Sequence, residues 1–434
     1  MENKISKMRL EKLFDGGEFT PIDAFAKSEN GDAEVDAGFG CVNGKAVYAF
    51  AQNSDENSGA ITVASCAKIK KIYALAEKTG CPVVGIYDSN GVKLTEGFEV
   101  LNAYGELVKA SARISGVVPQ ISVIAGSCIG TSALIANMAD VVIALENADF
   151  YIAPPSEYTV SSGNEDGIVD ICTKDIESAF DKVKSIISIL PSNNLEIGGI
   201  FEPCESAVIP CEELDFKEIV NSVADSGSVV ELKPDYGCNA MTALASVGGE
   251  AVGIISFGEK ELCPCCAYKA QALINLCDAF SLPIITIANG CGVKKGKDAV
   301  VLTAITKLTE AFASATCPKI SLITKEAVGA AYIVLAGKGS NSDLTFAWDN
   351  AVVSPLETES AVAFLWGSRL ADGESREALE KEYKETIGSA FAAAASGAID
   401  DVFTPEQTRA KLFAALDMLS GKRETTLPRK HSVK

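Results

Sequence analysis

The sequence predicts an α/β protein built from two similar halves in tandem, each a parallel sheet with helical crossovers. Three observations predict it. A helix–proline–strand unit recurs 201 residues later, a strand–glycine–helix unit recurs at nearly the same offset, and 47% of the 434 residues are apolar. That length exceeds one ordinary core and suits two domains of roughly 150–250 residues.

In the first unit Ile69, Ile72, Tyr73 and Ala76 fall at i, i+3, i+4 and i+7 of a helix read from Lys68. Ala270, Leu273, Ile274 and Cys277 hold the same register in a helix read from Lys269, so both helices bury the same face. Each helix gives out before a proline, Pro82 or Pro283, and a short apolar run follows, Val83–Tyr87 or Ile284–Ala288. Such runs are strands buried on both faces. Each closes on a polar residue and a glycine turn, Asp88 to Gly91 and Asn289 to Gly292.

The second unit pairs the strand Val118–Ile124 with Cys317–Ile323. Gly130 and Gly329 then open small-residue helices, each at the same distance from its proline, Pro119 or Pro318. Asp140, Ala144 and Ala148 match Asp343, Ala347 and Ala351. Ordered matches at a near-constant offset predict internal duplication. The expected organisation is a lead-in segment (1–35), a first half (36–195), a connector rich in Pro, Cys and acidic residues (196–235) and a second half (236–405). A C-terminal helix from Pro405 to Leu419 and a basic tail complete it (406–434).

A net charge of −20 excludes nucleic acid or an anionic membrane surface as a main partner. The uncharged stretch Val117–Ala139 is long enough to span a bilayer, but Pro119, Gly126, Gly130 and Asn137 break it into a strand, turn and helix. Met1 runs straight into charged residues with no apolar leader, so a cytoplasmic location is expected. The 14 cysteines are spread thinly and are expected to be reduced. Cys263-Pro264-Cys265-Cys266 lacks a second pair at zinc-site spacing, so no metal is expected. The single histidine, His431, stands near the C-terminus, which excludes Ser-His-Asp or Cys-His devices and a histidine base.

Chemistry then falls to carboxylates, to groups the ligands bring, or to backbone dipoles. The turns at Gly130 and Gly329 offer the last of these. The first N–H groups of a helix lack intrahelical acceptors and carry the positive end of its dipole. A carbonyl oxygen held there meets convergent donors, each worth about 3–4 kcal/mol to a developing oxyanion. Small residues permit the close approach, although tight helix–sheet packing would use the same glycines.

The stretches Phe50-Ala51-Gln52-Asn53, Asp88-Ser89-Asn90-Gly91, Glu96-Gly97, Pro119-Gln120-Ile121-Ser122 and Gly126-Ser127-Cys128 carry a family resemblance. So do Pro191-Ser192-Asn193-Asn194, Cys277-Asp278-Ala279-Phe280, Gly292, Gly296, Gly329-Ala330-Ala331-Tyr332 and Ala347-Trp348. Collinear over nearly the whole chain, they resemble the biotin-dependent acyl-CoA carboxyltransferases, the family of propionyl-CoA carboxylase β and methylmalonyl-CoA decarboxylase α subunits. The chain looks like a shortened and divergent member.

The resemblance implies two tandem crotonase-like (ClpP/crotonase) domains, with the acyl-CoA on the N-terminal half and biotin on the C-terminal half. It implies sites formed between the N half of one subunit and the C half of another in a homo-oligomer, commonly a hexamer. Gly130 and Thr131 would donate N–H groups to the thioester oxygen, and Ala330 and Ala331 would hold the ureido oxygen of biotin. Gly91, Gly126, Gly292, Gly329 and Tyr332 would contact substrate, and Ile333 would tune acyl-chain size. No side-chain base is implied, because biotin can take the α-proton as it gives up its carboxyl group. The CoA ester is the substrate. Biotin would ride on a separate biotin carboxyl carrier protein, since this chain has no Ala-Met-Lys-Met-type acceptor segment. A biotin carboxylase or membrane decarboxylase subunits would be further partners.

Departures from the family pattern are Thr131 in the first glycine pair, Asn90-Gly91-Val92-Lys93, Ser256-Phe257-Gly258, and Asn289-Gly290-Cys291-Gly292-Val293. The stretch Pro155–Ile189 is short and lacks the family's glycine pair and histidine. Two other readings accompany these departures. One is a weakened paralogue serving as structural partner in a carboxylase or decarboxylase complex. The other is CoA-ester hydration or hydrolysis, which needs a carboxylate such as Asp88 or Glu96 beside the first turn.

Overall fold

The structure, a computed structural model, describes residues 4–28, 31–153, 166–290, 292, 299–340 and 342–424. Residues 155–165 of the shortened stretch, Cys291, Val293 and Gly296 of the second-half turn, and the tail beyond Glu424 with His431 lie outside these. The chain divides into two compact units, Met1–Gly199 and Ile200–Lys434.

The first unit contains α1 (Ile5–Leu13), β1 (Phe19–Pro21), β2 (Val35–Val42), β3 (Lys45–Gln52), α2 (Val63–Thr79), β4 (Val83–Ser89) and α3 (Gly97–Ile114). It continues with β5 (Gln120–Ile129), α4 (Thr131–Ala136), β6 (Val141–Leu145), β7 (Asp149–Tyr151), β8 (Ile171–Thr173) and α5 (Ile176–Ile189). The sheet runs β1-β2-β3-β4-β5-β6-β8, with β7 pairing the far end of β5. β2 and β3 form an antiparallel hairpin, and every pairing from β3 onward is parallel. β6 is buried at all positions, the burial expected of a strand covered on both faces.

The second unit opens with α6 (Phe216–Val223), β9 (Val230–Leu232), β10 (Ala240–Val247), β11 (Glu250–Phe257), α7 (Pro264–Ala279) and β12 (Ile284–Ala288). There follow α8 (Ala299–Ser314), β13 (Lys319–Ile323), β14 (Glu326–Val328), α9 (Ala330–Leu335), β15 (Leu344–Trp348) and β16 (Val352–Ser354). Four helices, α10 (Thr358–Leu365), α11 (Gly367–Ala371), α12 (Arg376–Glu385) and α13 (Ala390–Ala395), precede β17 (Asp401–Phe403) and α14 (Thr408–Leu419). The sheet order β9-β10-β11-β12-β13-β15-β17 repeats the first unit's, and β14 pairs β16 as the end of β5 pairs β7.

The duplication reaches single atoms. Buried Lys68 donates from Nζ to the Val35 carbonyl at 2.8 Å, and buried Lys269 to the Ala240 carbonyl at 2.9 Å. Burial lowers the Lys68 ammonium and pushes that of Lys269 down to about 8. The Asp140 carboxylate accepts the Gln120 amide and Asp343 the Lys319 amide, both at 2.8 Å.

The segments expected outside the two halves pack within the two units. The expected connector contributes Ile219, Val220 and Val223 of α6 to the second core and strand β9 to its sheet. The lead-in buries Leu10 and Leu13 in the first unit, and the C-terminal helix buries Leu412 and Leu416 in the second. Both repeated helices also start five residues earlier than the apolar pattern indicated. Thr62 caps α2 by accepting the Ser65 amide, and Pro264 fills the first turn of α7. No described helix is long and apolar enough to cross a membrane, and the described residues hold no metal-ligand cluster.

Candidate functional site

Each unit places its turn where a short parallel strand pair ends. Ile129 pairs with Tyr151 and Val328 with Ser354, and the next residue in each case is the glycine. Gly130 has φ 66° and ψ −135°, and Gly329 has φ 54° and ψ −122°. Both lie in a region that a Cβ closes, which is why glycine stands at each. The kink turns the chain at once into a helix.

The glycine amides are already used. Gly130 donates to the Tyr151 carbonyl at 2.9 Å and Gly329 to that of Ser354 at 2.8 Å. Of the expected donor pair Gly130 and Thr131, the Gly130 amide is thus bonded within the unit. Among the described residues no acceptor meets the amides of Thr131 and Ser132, or those of Ala330 and Ala331. These are the matching first two positions of α4 and α9. Thr131 costs no donor, since its N–H faces forward as any residue's would. Behind it the Ser132 hydroxyl meets the Tyr104 hydroxyl at 2.9 Å, which ties α4 to α3.

Gly329, Ala330, Tyr332 and Ile333 line one cavity of about 570 Å³, closed by Pro355, Ile387, Ala392, Ala393 and Ala398. Tyr332 donates its hydroxyl to the Ala398 carbonyl at 2.9 Å, which seats the α13 side of the wall. Ala331, the next residue of α9, is buried. Ile333 is about half exposed at the rim.

Three other expected contact residues have structural work. Gly91 donates its amide to Ser89 Oγ at 3.1 Å and accepts the Ile61 amide at 2.8 Å, so it ties the start of α2 to the end of β4. Gly292 does the same in the second unit, accepting the Leu262 amide at 2.8 Å. A Cβ on Gly126 would lie 2.3 Å from Asp88 Oδ1, so that glycine makes room for a carboxylate.

Asp88 leads to a polar cluster that includes Arg9, which sequence reasoning passed over. Its carboxylate pairs with Arg9 at 2.8 Å and accepts the Ser54 hydroxyl at 2.8 Å, and its amide donates to Gln52 Oε1. Around it Arg9 Nη1, Gln52 Nε2 and both polar atoms of Asn53 are buried without a hydrogen-bond partner among the described residues, while Lys93 Nζ stands 3.9 Å from the Glu34 carboxylate. Each such orphan costs about 1–3 kcal/mol, and their gathering at the ends of β3 and β4 is where open α/β sheets place ligands. Gln52 and Asn53 had been noted as part of the resemblance. No local signal brings Arg9, on α1, to them. Glu96 accepts the Val63 amide at 2.7 Å as a cap on α2. Both carboxylates that hydration or hydrolysis would need are thus engaged elsewhere.

A hairpin feeding a parallel sheet, with a short strand pair that ends in a glycine-led helix, defines the crotonase type of fold, here present twice. The chain belongs to the family of the carboxyl transferase domain, whose family model matches residues 2–433. It is 30% identical to the methylmalonyl-CoA decarboxylase subunit alpha of Propionigenium modestum over 98% of this chain and 92% of that one. It is 28% identical to the propionyl-CoA carboxylase beta chain of Saccharopolyspora erythraea, over 99% of this chain and 90% of that one. The transcarboxylase 12S crystal structure, a hexamer with methylmalonyl-coenzyme A bound, superposes with a TM-score of 0.90 at 26% identity, covering 98% and 91% of the two chains.

Proposed function

We propose that this chain is a carboxyltransferase subunit that moves a carboxyl group between carrier-borne biotin and a short-chain acyl-CoA. The observation that carries the reading is the matched pair of turns, each with two open amides one residue past a tethered glycine. Two turns suit a reaction in which two carbonyls gain negative charge, one on each substrate. In the first unit the amides of Thr131 and Ser132 hold the thioester oxygen as the acyl α-carbon becomes an enolate. The orphaned Asn53, Gln52 and Arg9 groups supply polar partners for the CoA ester's amide and carboxylate oxygens.

In the second unit the cavity takes the ureido ring, with Ala330 in its lining and the amides of Ala330 and Ala331 without an acceptor among the described residues. Biotin bound there supplies the transferable carboxyl group. Ala330 and Ala331 orient its carbonyl, while Pro355, Ile387 and Ala392 keep water from the ring. No side chain of either turn is asked to move a proton, which agrees with a chain whose one histidine is His431. A biotin carrier protein and a biotin carboxylase or membrane decarboxylase partner complete the reaction, and the working form is a homo-hexamer.

The test is transfer from methylmalonyl-CoA or malonyl-CoA to free biotin by the purified chain, followed as loss of the carboxylated ester. Absence of transfer across a series of short-chain esters, in a folded sample, would sink the reading in favour of a structural paralogue. Light scattering at six times the chain mass is expected.

A further inference from the structure

The start of α7 carries a pair of thiols that carboxyl transfer does not use. Cys263 stands before the helix, Pro264 fills its first position, and Cys265 and Cys266 follow. The sulfurs of Cys263 and Cys266 share a hydrogen bond at 3.3 Å. The first unit holds the same construction in oxygen. Thr62 and Ser65, each 201 residues earlier, stand at the start of α2 with their hydroxyls 2.9 Å apart. The duplicated backbone therefore brings these two side chains into contact whatever they are. Hydroxyls there can only cap, whereas thiols can ionise and bridge.

The surroundings changed with the atoms. In the first unit Thr62 and Ser65 both donate to the Glu34 carboxylate, at 2.8 Å and 3.1 Å. The matching residue before β10 is Asn239, which is uncharged and whose side chain donates to the Gly258 and Lys260 carbonyls. A carboxylate beside the pair would oppose a thiolate, and at the matching position the second unit has an amide instead. Contact with Cys266, then the amides at the helix start, hold the Cys263 thiol below the ordinary range, while the same contact and burial raise that of Cys266. Cys263 is partly exposed and Cys266 is fully buried. Cys265 pairs instead with the Tyr236 hydroxyl.

We propose that Cys263 and Cys266 are a redox-active dithiol that exchanges with low-molecular-weight disulfides, Cys263 attacking and Cys266 resolving. The Cys263 thiolate displaces one thiolate from the disulfide and forms a mixed disulfide. Cys266 then loses its proton and attacks the Cys263 sulfur, and the second thiolate leaves. The chain gives up two electrons and two thiol protons, and the small disulfide becomes two thiols. The sulfurs, 3.3 Å apart in the reduced chain, close to about 2.05 Å in the bridge.

The experiment treats the reduced full-length chain with oxidised glutathione and maps the products by mass spectrometry. The expected result is loss of two hydrogens within the peptide holding Cys263 and Cys266. Cys266→Ser should instead keep one glutathione on Cys263, and Cys265→Ser should behave as the unaltered chain. Iodoacetamide at neutral pH should label Cys263 about ten-fold faster than exposed Cys41. The double variant Cys263→Thr with Cys266→Ser, which copies the first unit, should fold with the same thermal midpoint and form no bridge. Adducts spread evenly over Cys41, Cys204 and Cys238, or a bridge through Cys265, would overturn the proposal.

Discussion

Gly130 and Gly329 are the residues on which both turns depend. Alanine at either is forced into a φ near +60°, a strain of about 1–3 kcal/mol. At Gly329 the added methyl also meets the Pro355 carbonyl at 3.1 Å, whereas at Gly130 it meets nothing within 4 Å. Denaturant titration should therefore find Gly329→Ala the less stable of the two. Proline offers a cleaner test of the open amides. At the first helical position it removes the N–H while keeping the helix. Thr131→Pro and Ala330→Pro should each lower kcat about 10²–10³-fold with an unchanged circular dichroism spectrum. Thr131→Gly should stay near the original rate. Retained activity in the proline variants would remove these amides from the chemistry. At this scale the sequence located the turns but not the bond that occupies the Gly130 amide. The cause is the Tyr151 carbonyl, which claims the Gly130 amide and sits on a three-residue strand that no apolar pattern marks.

Elements repeat more faithfully than their environments. Asp140 and Asp343 each accept an amide at the start of the preceding parallel strand, yet Asp343 also meets Lys422 at 2.9 Å, and among the described residues no cation pairs with Asp140. Burial, with Asp170 nearby, raises the Asp140 carboxyl to about 7. A carboxyl raised on folding favours the folded state below its unfolded value near 4, and that contribution is lost as pH rises through about 7. Asp140→Asn keeps an acceptor for Gln120 and removes the charge. It should leave stability unchanged near pH 4 and raise it by about 1–3 kcal/mol at pH 8, flattening the pH profile. Asp343→Asn should do the reverse at neutral pH, since it removes the nearer of the two carboxylates that face Lys422, Asp343 at 2.9 Å and Glu424 at 3.8 Å. Equal responses of the two variants to pH would refute the assignment. Helix faces and strand runs were legible at this scale because burial imposes period. Helix starts were not, because Thr62 and Cys263 act through one or two contacts rather than through a pattern.

Over the whole molecule, duplication was the most legible property, since a repeated core demands a repeated apolar register. Arg9 at the polar cluster was illegible, because only the folded chain brings α1 to the end of β4. The helices α10 to α13, of which α13 lends Ala392 and Ala393 to the second cavity's wall, were not anticipated either, having no counterpart at constant offset. A division of labour between the halves makes a separable prediction. Thr131→Pro should weaken CoA-ester binding in calorimetry while sparing free biotin, and Ala330→Pro should do the opposite. A loss of both ligands in both variants would argue against separate sites.

The tethering of Gly130 and Gly329 also turns each turn into its own gauge of occupancy. Neighbouring peptide groups there, one bound to a strand carbonyl at 2.8–2.9 Å and the next facing outward, should take up deuterium at very different speeds. A ligand seated on the outward group would slow that one alone, so the ratio between two adjacent residues would report filling of each half without reference to any other part of the chain.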